Sequence, residues 1–171
     1  MAGSDNTDEM ATLRSPHLAD CMHAALRDGR LLDLQVLMQL GVDPEMPDAL
    51  GNAPIALAVA AQRPAFVEVL VRGGADPSWP GLLAVAIANR DLPTLCVLLE
   101  GGANPNAVDG TGRTPLMLAA RLGEPDYAKA LLKAGAKVDV RDSDGKLALD
   151  WAWTEGREAI AELLIAAEVP P

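Results

Sequence analysis

Aromatic residues are scarce in this sequence: three tryptophans, one tyrosine and one phenylalanine occur among 171 residues. Half of the residues are nevertheless apolar, so leucine, alanine and valine must build the interior. A core of such small side chains forms by close packing of helices rather than around a few large rings. The length suits one domain or a short array of stacked units.

Basic residues are also few, fourteen against twenty-four acidic ones, which gives a formal net charge of −10. Such a charge argues against nucleic acid and against an anionic membrane surface as partners, because both are negatively charged. It favours a partner protein that carries a basic patch. The charge is uneven: residues 109–141 hold six basic and four acidic residues, whereas 142–171 hold two and seven.

Long apolar runs and targeting signals are not found in the sequence. No run approaches the roughly 20 residues of a membrane span, and the first residues show neither the basic nor the apolar region of a secretory signal. We therefore expect a cytoplasmic protein. Arginine outnumbers lysine by ten to four, which suggests a GC-rich bacterial gene.

Residues of the types that bind metals or take part in catalysis do not form a recognised site. Cys21 and Cys96 are far apart, and we expect two reduced thiols packed as small apolar groups. Cys21 lies near His17 and His23, but no fourth ligand follows at the spacing that structural zinc needs. Nucleotide-binding and hydrolase motifs do not occur. The sequence predicts no metal, no cofactor and no enzyme activity.

A glycine-centred pattern recurs along the chain. Gly41, Gly74, Gly102 and Gly135 are separated by 33, 28 and 33 residues, and such a period is typical of repeat proteins. Before the pattern lies a polar arm, residues 1–16, which we expect to be disordered. The remaining residues, 17–171, are expected to form one domain of five repeats: 17–48, 49–78, 79–108, 109–141 and 142–171.

Five apolar positions recur in register in every repeat. Their spacings of three and four residues predict two short antiparallel helices per repeat, such as 115–122 and 125–134. One such pair cannot bury its apolar face alone, so the pairs must stack. The positions hold Met22, Ala25, Leu34, Leu37 and Met38; Ile55, Ala58, Val67, Leu70 and Val71; Leu83, Ala86, Leu95, Leu98 and Leu99; Leu116, Ala119, Ala128, Leu131 and Leu132; and Leu149, Ala152, Ala161, Leu164 and Ile165.

Helix ends are marked as well. The recurring glycines follow the second helices, where a left-handed cap favours glycine. Thr114 and Asp20 precede first helices and are expected to be N-caps. Because Leu132 occupies an apolar position, we expect its replacement by alanine to cost about 2–5 kcal/mol of stability.

Residues 109–140, DGTGRTPLMLAARLGEPDYAKALLKAGAKVDV, resemble an ankyrin repeat. TPL, AA, LL and GA stand in the slots of that family's motif, and the other four repeats match it less fully. The resemblance implies a mostly α ankyrin-repeat solenoid of stacked helix-turn-helix units with short β-hairpin fingers. It also implies that His23, in the usual histidine slot, makes a structural hydrogen bond between neighbouring repeats.

The resemblance further implies a concave surface, made of fingertips and first helices, that binds a partner. The third repeat lacks about five residues of its finger, so Trp79 either covers the junction or anchors a partner there. Carried over position by position, the surface residues are Arg27, Asp28, Leu50, Asn52, Trp79, Asn89, Thr111, Arg113, Arg121, Leu122, Asp144, Lys146, Thr154 and Glu155.

The sequence also predicts surroundings for two tryptophans near its end and for three regularly spaced lysines. Of Trp151 and Trp153, one is expected to pack on the fourth repeat and the other to cover the end of the stack, because a terminal repeat lacks a neighbour. Lys129, Lys133 and Lys137 recur every four residues, which predicts a solvated outer face.

We expect a protein–protein interaction module that is a monomer when free and has no enzyme activity. Two alternatives remain open. One is a cytoplasmic immunity protein or inhibitor that neutralises a basic toxin or enzyme. The other is an effector delivered into a host cell.

Overall fold

Ten short helices make up most of the part of the chain that the structure describes. The computed structural model describes residues 16–168, so the predicted arm, residues 1–16, lies outside the described residues apart from Pro16. The helices are α1 (Pro16–Asp28), α2 (Leu31–Gln39), α3 (Pro54–Ala60), α4 (Pro64–Arg72), α5 (Leu82–Ala88), α6 (Leu92–Glu100), α7 (Pro115–Leu122), α8 (Pro125–Lys133), α9 (Ala148–Thr154) and α10 (Glu158–Glu168). They confirm the mostly helical repeat fold.

The helices belong to two compact units, of which the first ends at Pro77 and the second begins at Ser78. In the first unit α1 pairs with α2 and α3 with α4, while α1 stacks on α3 and α2 on α4. In the second unit the pairs are α5–α6, α7–α8 and α9–α10, with α7 between α5 and α9 and with α8 between α6 and α10. The single domain over 17–171 stays a prediction.

The recurring apolar positions form the core. Nineteen of the twenty residues in the first four positions of each repeat are buried, and Leu149 is half-buried. These positions are confirmed as the packing register.

The fifth apolar position differs from the other four. It is half-buried in four repeats, and in the last one Ile165 is 44% exposed. The position lies at the edge of the second helix rather than under it. Because Leu132 is only half-buried, we now expect Leu132→Ala to cost less than a fully buried leucine would.

Helix starts partly follow the predictions. Thr114 caps α7, and its hydroxyl accepts the N–H of Met117 at 3.3 Å. The N-cap predicted at Asp20 is wrong, because Asp20 lies inside α1. A cap that was not predicted occurs at Asp91, whose carboxylate accepts the N–H of Thr94 at 3.1 Å and its hydroxyl at 2.6 Å.

The predicted glycine caps are confirmed by their backbone angles. The glycines at 41, 74, 102 and 135 have φ of 77°, 101°, 100° and 90°. A second left-handed position recurs between the two helices of each pair. There Gln62 and Arg90, with φ of 53° and 55°, take the place that glycine holds in the other pairs.

Both cysteines are free, but their surroundings differ. Cys21 is exposed, so its predicted packing as a small apolar group is wrong. Cys96 is half-buried, and burial, together with the nearby Glu100, raises the pKa of its thiol.

Among the helices of residues 16–168, none has the length and apolarity that crossing a bilayer requires.

Candidate protein-binding surface

Three turns with the sequence pattern Asp-x-x-Gly-x lie between consecutive helix pairs, at residues 48–52, 109–113 and 142–146. They are named the finger turns here, because they lie where β-hairpin fingers are expected. In each, the aspartate N–H donates to the carbonyl of the fifth residue at 3.0 Å, and the glycine N–H donates back to the aspartate carbonyl. No β-strand occurs among the described residues. Each finger is closed by the two backbone hydrogen bonds of its turn, without the hydrogen-bonded ladder of a β-hairpin.

The aspartate carboxylate holds each finger turn together. Oδ1 of Asp109 accepts the N–H of Thr111 at 2.7 Å and that of Arg113 at 3.1 Å. Asp48 and Asp142 make the same pair of bonds, to the residues two and four further on, at 2.9–3.0 Å. N–H donors favour the ionised form of a carboxylate, so these bonds tie the turn to the charged aspartate.

Hydrogen bonds from side chains and from these backbone N–H groups lower the pKa of the three carboxyl groups. At Asp48 the largest cause is the hydrogen bond from the Asn52 side chain. At Asp109 it is the bond from the Thr111 hydroxyl, which is 2.6 Å long. The carboxyl groups of the turns therefore stay ionised to a lower pH than an ordinary aspartate.

Trp151 of α9 contacts charged residues from both finger turns of the second unit. Its indole N–H donates to Oδ2 of Asp142 at 2.9 Å. The Arg113 guanidinium lies 4.8 Å from the centre of the ring and Lys146 Nζ lies 4.5 Å from it, both within cation–π range. Arg113, Asp142, Lys146 and Trp151 are named the tryptophan cluster.

Asp142 is the buried centre of the tryptophan cluster, with 7% of its surface exposed. Burial raises the pKa of this carboxyl, but the N–H groups of Lys146, Trp151 and Asp144 and the charge of Arg113 together outweigh it, so the pKa lies below its ordinary value. The carboxylate is ionised at neutral pH and partly balances the positive charges of Arg113 and Lys146.

The two finger turns of the second unit are also bonded to each other. The backbone N–H and the hydroxyl of Ser143 both donate to the carbonyl of Thr111, at 3.1 and 2.8 Å. Between them Gly112 has φ of +75°, and a Cβ there would lie 3.1 Å from the Ser143 nitrogen. Any larger residue would push the turns apart, so the close approach depends on this glycine.

Eight of the predicted surface residues lie on these turns or on the helices that follow them. The turns carry Thr111, Arg113, Asp144 and Lys146, and the structure brings these four together. The other four lie at the C-terminal ends of the helices that follow: Arg121 and Leu122 at the end of α7, and Thr154 and Glu155 at the end of α9. Thr111, Asp144, Thr154 and Glu155 are exposed, whereas Arg113, Arg121, Leu122 and Lys146 are half-buried.

Two more predicted residues belong to the second unit but not to its finger turns. Trp79 precedes α5 and is 40% exposed. Asn89 is the C-terminal cap of α5 and is exposed. Their part in binding stays a prediction.

The first unit holds the remaining four predicted residues. Leu50 is at the tip of its finger turn and is 86% exposed. Asn52 is bonded to Asp48 through its side-chain amide at 3.0 and 3.2 Å. Arg27 and Asp28 lie exposed at the end of α1.

The predicted surface leaves out Asp142 and Trp151, although both are central to the tryptophan cluster. A signal for the first exists, since Asp109 precedes Asp142 by 33 residues and each is followed by glycine three residues later. For Trp151 there is none, because Leu118 stands at the same position of the preceding repeat.

His23 makes a structural hydrogen bond, but not the expected one between neighbouring repeats. Its Nε2 lies 2.9 Å from the Met46 carbonyl, and the ring is 3% exposed. Met46 falls within the same predicted repeat, 17–48, so the bond does not join two repeats as they were delimited.

The remaining side chains follow the predictions in most respects. Trp151 packs against Arg113 of the preceding repeat, as expected for one of the two tryptophans, whereas Trp153 is 54% exposed. The lysines at 129, 133 and 137 are all exposed. Within residues 16–168, no group of three or more histidine, cysteine or acidic residues is placed to hold a metal ion.

Comparison with known families gives the class of the protein. The family model for ankyrin repeats, in three copies, matches residues 83–170, just over half of the chain. The chain belongs to the ankyrin-repeat family. That residues 17–78 contain two further ankyrin repeats stays a prediction.

The curated relatives include proteins of different sizes. A Danio rerio protein that carries the name palmitoyltransferase ZDHHC13 is 33% identical over 139 residues, 77% of this chain and 21% of that protein. Neurogenic locus notch homolog protein 1 of Danio rerio is 31% identical over 71% of this chain and 5% of its own length. Human cyclin-dependent kinase inhibitor 2A is 31% identical over 87% of this chain and 78% of its own length.

The chain thus spans a small part of two of these relatives and most of the third. Ankyrin repeats are in general interaction modules without enzymatic activity. The first relative is named as an enzyme, but this chain matches only about a fifth of its length.

Proposed function

We propose that this chain binds another protein through the two finger turns of its second unit and the helices that follow them. One observation carries the proposal: the tryptophan cluster holds Arg113 and Lys146 over one ring before any partner arrives. The proposed contact residues are Thr111, Arg113, Arg121, Leu122, Asp144, Lys146, Thr154 and Glu155. We add Trp151, because its ring contacts Arg113 and Lys146.

A surface prepared in this way suits binding. Side chains that are already ordered lose little freedom when a partner docks, so more of the contact energy appears as affinity. Tryptophan and arginine are also the residues most enriched at interface hot spots. The name of one relative, a cyclin-dependent kinase inhibitor, supports a protein as the partner.

The test is capture of partners from the native host with the full chain, followed by mass spectrometry. Three forms are compared: the wild type, Arg113→Glu with Lys146→Glu, and Lys129→Glu with Lys133→Glu. The third form is a matched control, because it reverses the same charge on exposed residues of α8. We expect a stoichiometric partner that the wild type and the control retain and the finger variant loses. Equal retention by both variants would contradict the proposed surface.

Inhibition of an enzyme or toxin is the second candidate function. Its support is that the relative matched over 78% of its length is named an inhibitor. The net charge of −10 additionally favours a basic partner. The purified chain should then lower the activity of the captured partner at a one-to-one ratio, and high salt should weaken the effect. A captured enzyme that keeps full activity when saturated would rule out this candidate.

We also infer from the sequence a cytoplasmic location and a monomeric free chain. Delivery into a host cell and a bacterial source remain sequence predictions that no contact in the described residues favours.

A further inference from the structure

An exposed face of α2, continued by the residue that follows the helix, carries an apolar stripe in the first unit. Leu32, Val36 and Leu40 are spaced by four residues and are 76%, 53% and 57% exposed. Residues at this spacing lie on one side of a helix. Large apolar side chains grouped on an exposed face mark a binding surface. The stripe is separate in sequence from the finger turns, and its role does not depend on theirs.

The repeat register shows that the stripe does not suit another repeat of the same kind. Its counterparts 33 residues later are Ala65 and Val69 of α4 and Gly73, which directly follows that helix. Met38 of α2 packs on Gly73 so closely that a Cβ there would lie 2.6 Å from its sulfur. Leu40 takes the place where such packing requires glycine, so a helix that covers the stripe must lie further away.

Carboxylates outnumber basic groups in the part of the chain that includes the stripe. Residues 16–48 contain six carboxylates and two arginines. Asp28 and Asp33, both exposed, share Arg30 as their ion-pair partner at 3.2 and 2.9 Å. Asp33 follows Leu32 directly and borders the stripe, so one arginine faces two carboxylates beside it.

We propose that this face of α2 binds an amphipathic helix of a partner protein, with apolar side chains on the stripe and lysine or arginine beside it. A helix laid along an apolar surface is a common mode of recognition. The stripe is about 12 Å long, so it takes about two turns of the incoming helix. The acidic border sets the sign of the partner's flanking charges and speeds encounter.

The probe is a synthetic helical peptide of leucine and lysine, about four turns long, with its leucines at spacings of three and four. Its leucine–glutamate counterpart is the control peptide. We expect the lysine peptide to shift the methyl NMR signals of Leu32, Val36 and Leu40 in the full chain. Leu32→Gln with Leu40→Gln should raise its Kd by about tenfold or more.

Ile165→Gln is the matched control variant, since Ile165 is also an exposed apolar residue on a second helix. Its Kd should stay within about twofold of the wild type. Equal weakening by both variants, or equal binding of both peptides, would overturn the proposal.

Two other occupants of the stripe would also overturn it. If the α2 methyl signals change with protein concentration and the chain sediments as a dimer, a second copy covers the face. If they change when Met10 and Leu13 are replaced by glutamine in the full chain, residues 1–15 cover it.

Discussion

Leu131 and Leu132 are neighbours in α8 with different surroundings. Leu131 has no exposed surface. Leu132 is half-buried and lines an open groove together with Ala136 and Val138. The cost of shortening a side chain depends on the cavity left behind, so two residues that look alike in the sequence differ in their effect on stability.

Leu131→Ala should lower the free energy of unfolding by about 2–5 kcal/mol, because it opens a cavity in the core. Leu132→Ala should cost less, about 1 kcal/mol, because Leu132 is half-buried beside an open groove and leaves a smaller closed cavity. Urea denaturation of the two variants measures the difference. Equal losses would show that the packing register of α8 is wrong.

Asp142 joins the finger turn to Trp151 through both of its carboxylate oxygens. In Asp142→Asn one oxygen can still accept the turn N–H groups, but the new amide faces the indole N–H, and two donors meet. An unsatisfied buried donor costs about 1–3 kcal/mol. We expect lower thermal stability and a shifted indole N–H signal of Trp151.

Asp144→Asn is the control for this change, because Asp144 is exposed on the same turn and its own N–H, not its carboxylate, makes the bond to Asp142. It should melt close to the wild type. If the two variants lose the same stability, Asp142 does not connect the turn to the ring.

At the scale of elements, the helices could be predicted and the details of the fingers could not. Helix positions follow from apolar spacing, which burial of one face imposes on the sequence. The tryptophan cluster depends on how side chains from two repeats and one helix meet, and no local pattern encodes that meeting. The predicted N-cap at Asp20 is wrong for another reason, since α1 begins at Pro16 and Asp20 lies inside it.

The finger turns should weaken in acid. The pKa values of Asp48, Asp109 and Asp142 are lowered in the folded chain, compared with about 3.9 for an unfolded aspartate. Groups with a lowered folded pKa contribute stability that is fully present above the unfolded value and is lost as the pH falls through the folded value.

We therefore expect stability to be insensitive to these groups near neutral pH and to fall below about pH 4. Amide NMR signals of residues 50, 111 and 144 should shift over the same range. If these amides are unchanged while the carboxyl groups titrate, the aspartates do not hold the turns.

At the scale of the whole molecule, the chain is acidic, while its tryptophan cluster holds two cations and one carboxylate around a single ring. The net charge is −10, yet Arg113 and Lys146 stand together on one ring. Net charge governs how fast a partner arrives, and local contacts decide how long it stays. The repeat period and family were readable from the sequence, whereas the place of contact depends on this arrangement of side chains.

Hydrogen–deuterium exchange of the full chain, alone and bound to its captured partner, tests the place of contact most directly. We predict that binding slows exchange in residues 109–113 and 142–146 and leaves the exposed face of α8 unchanged. Slowed exchange on α8 with no change in the two finger turns would contradict the account.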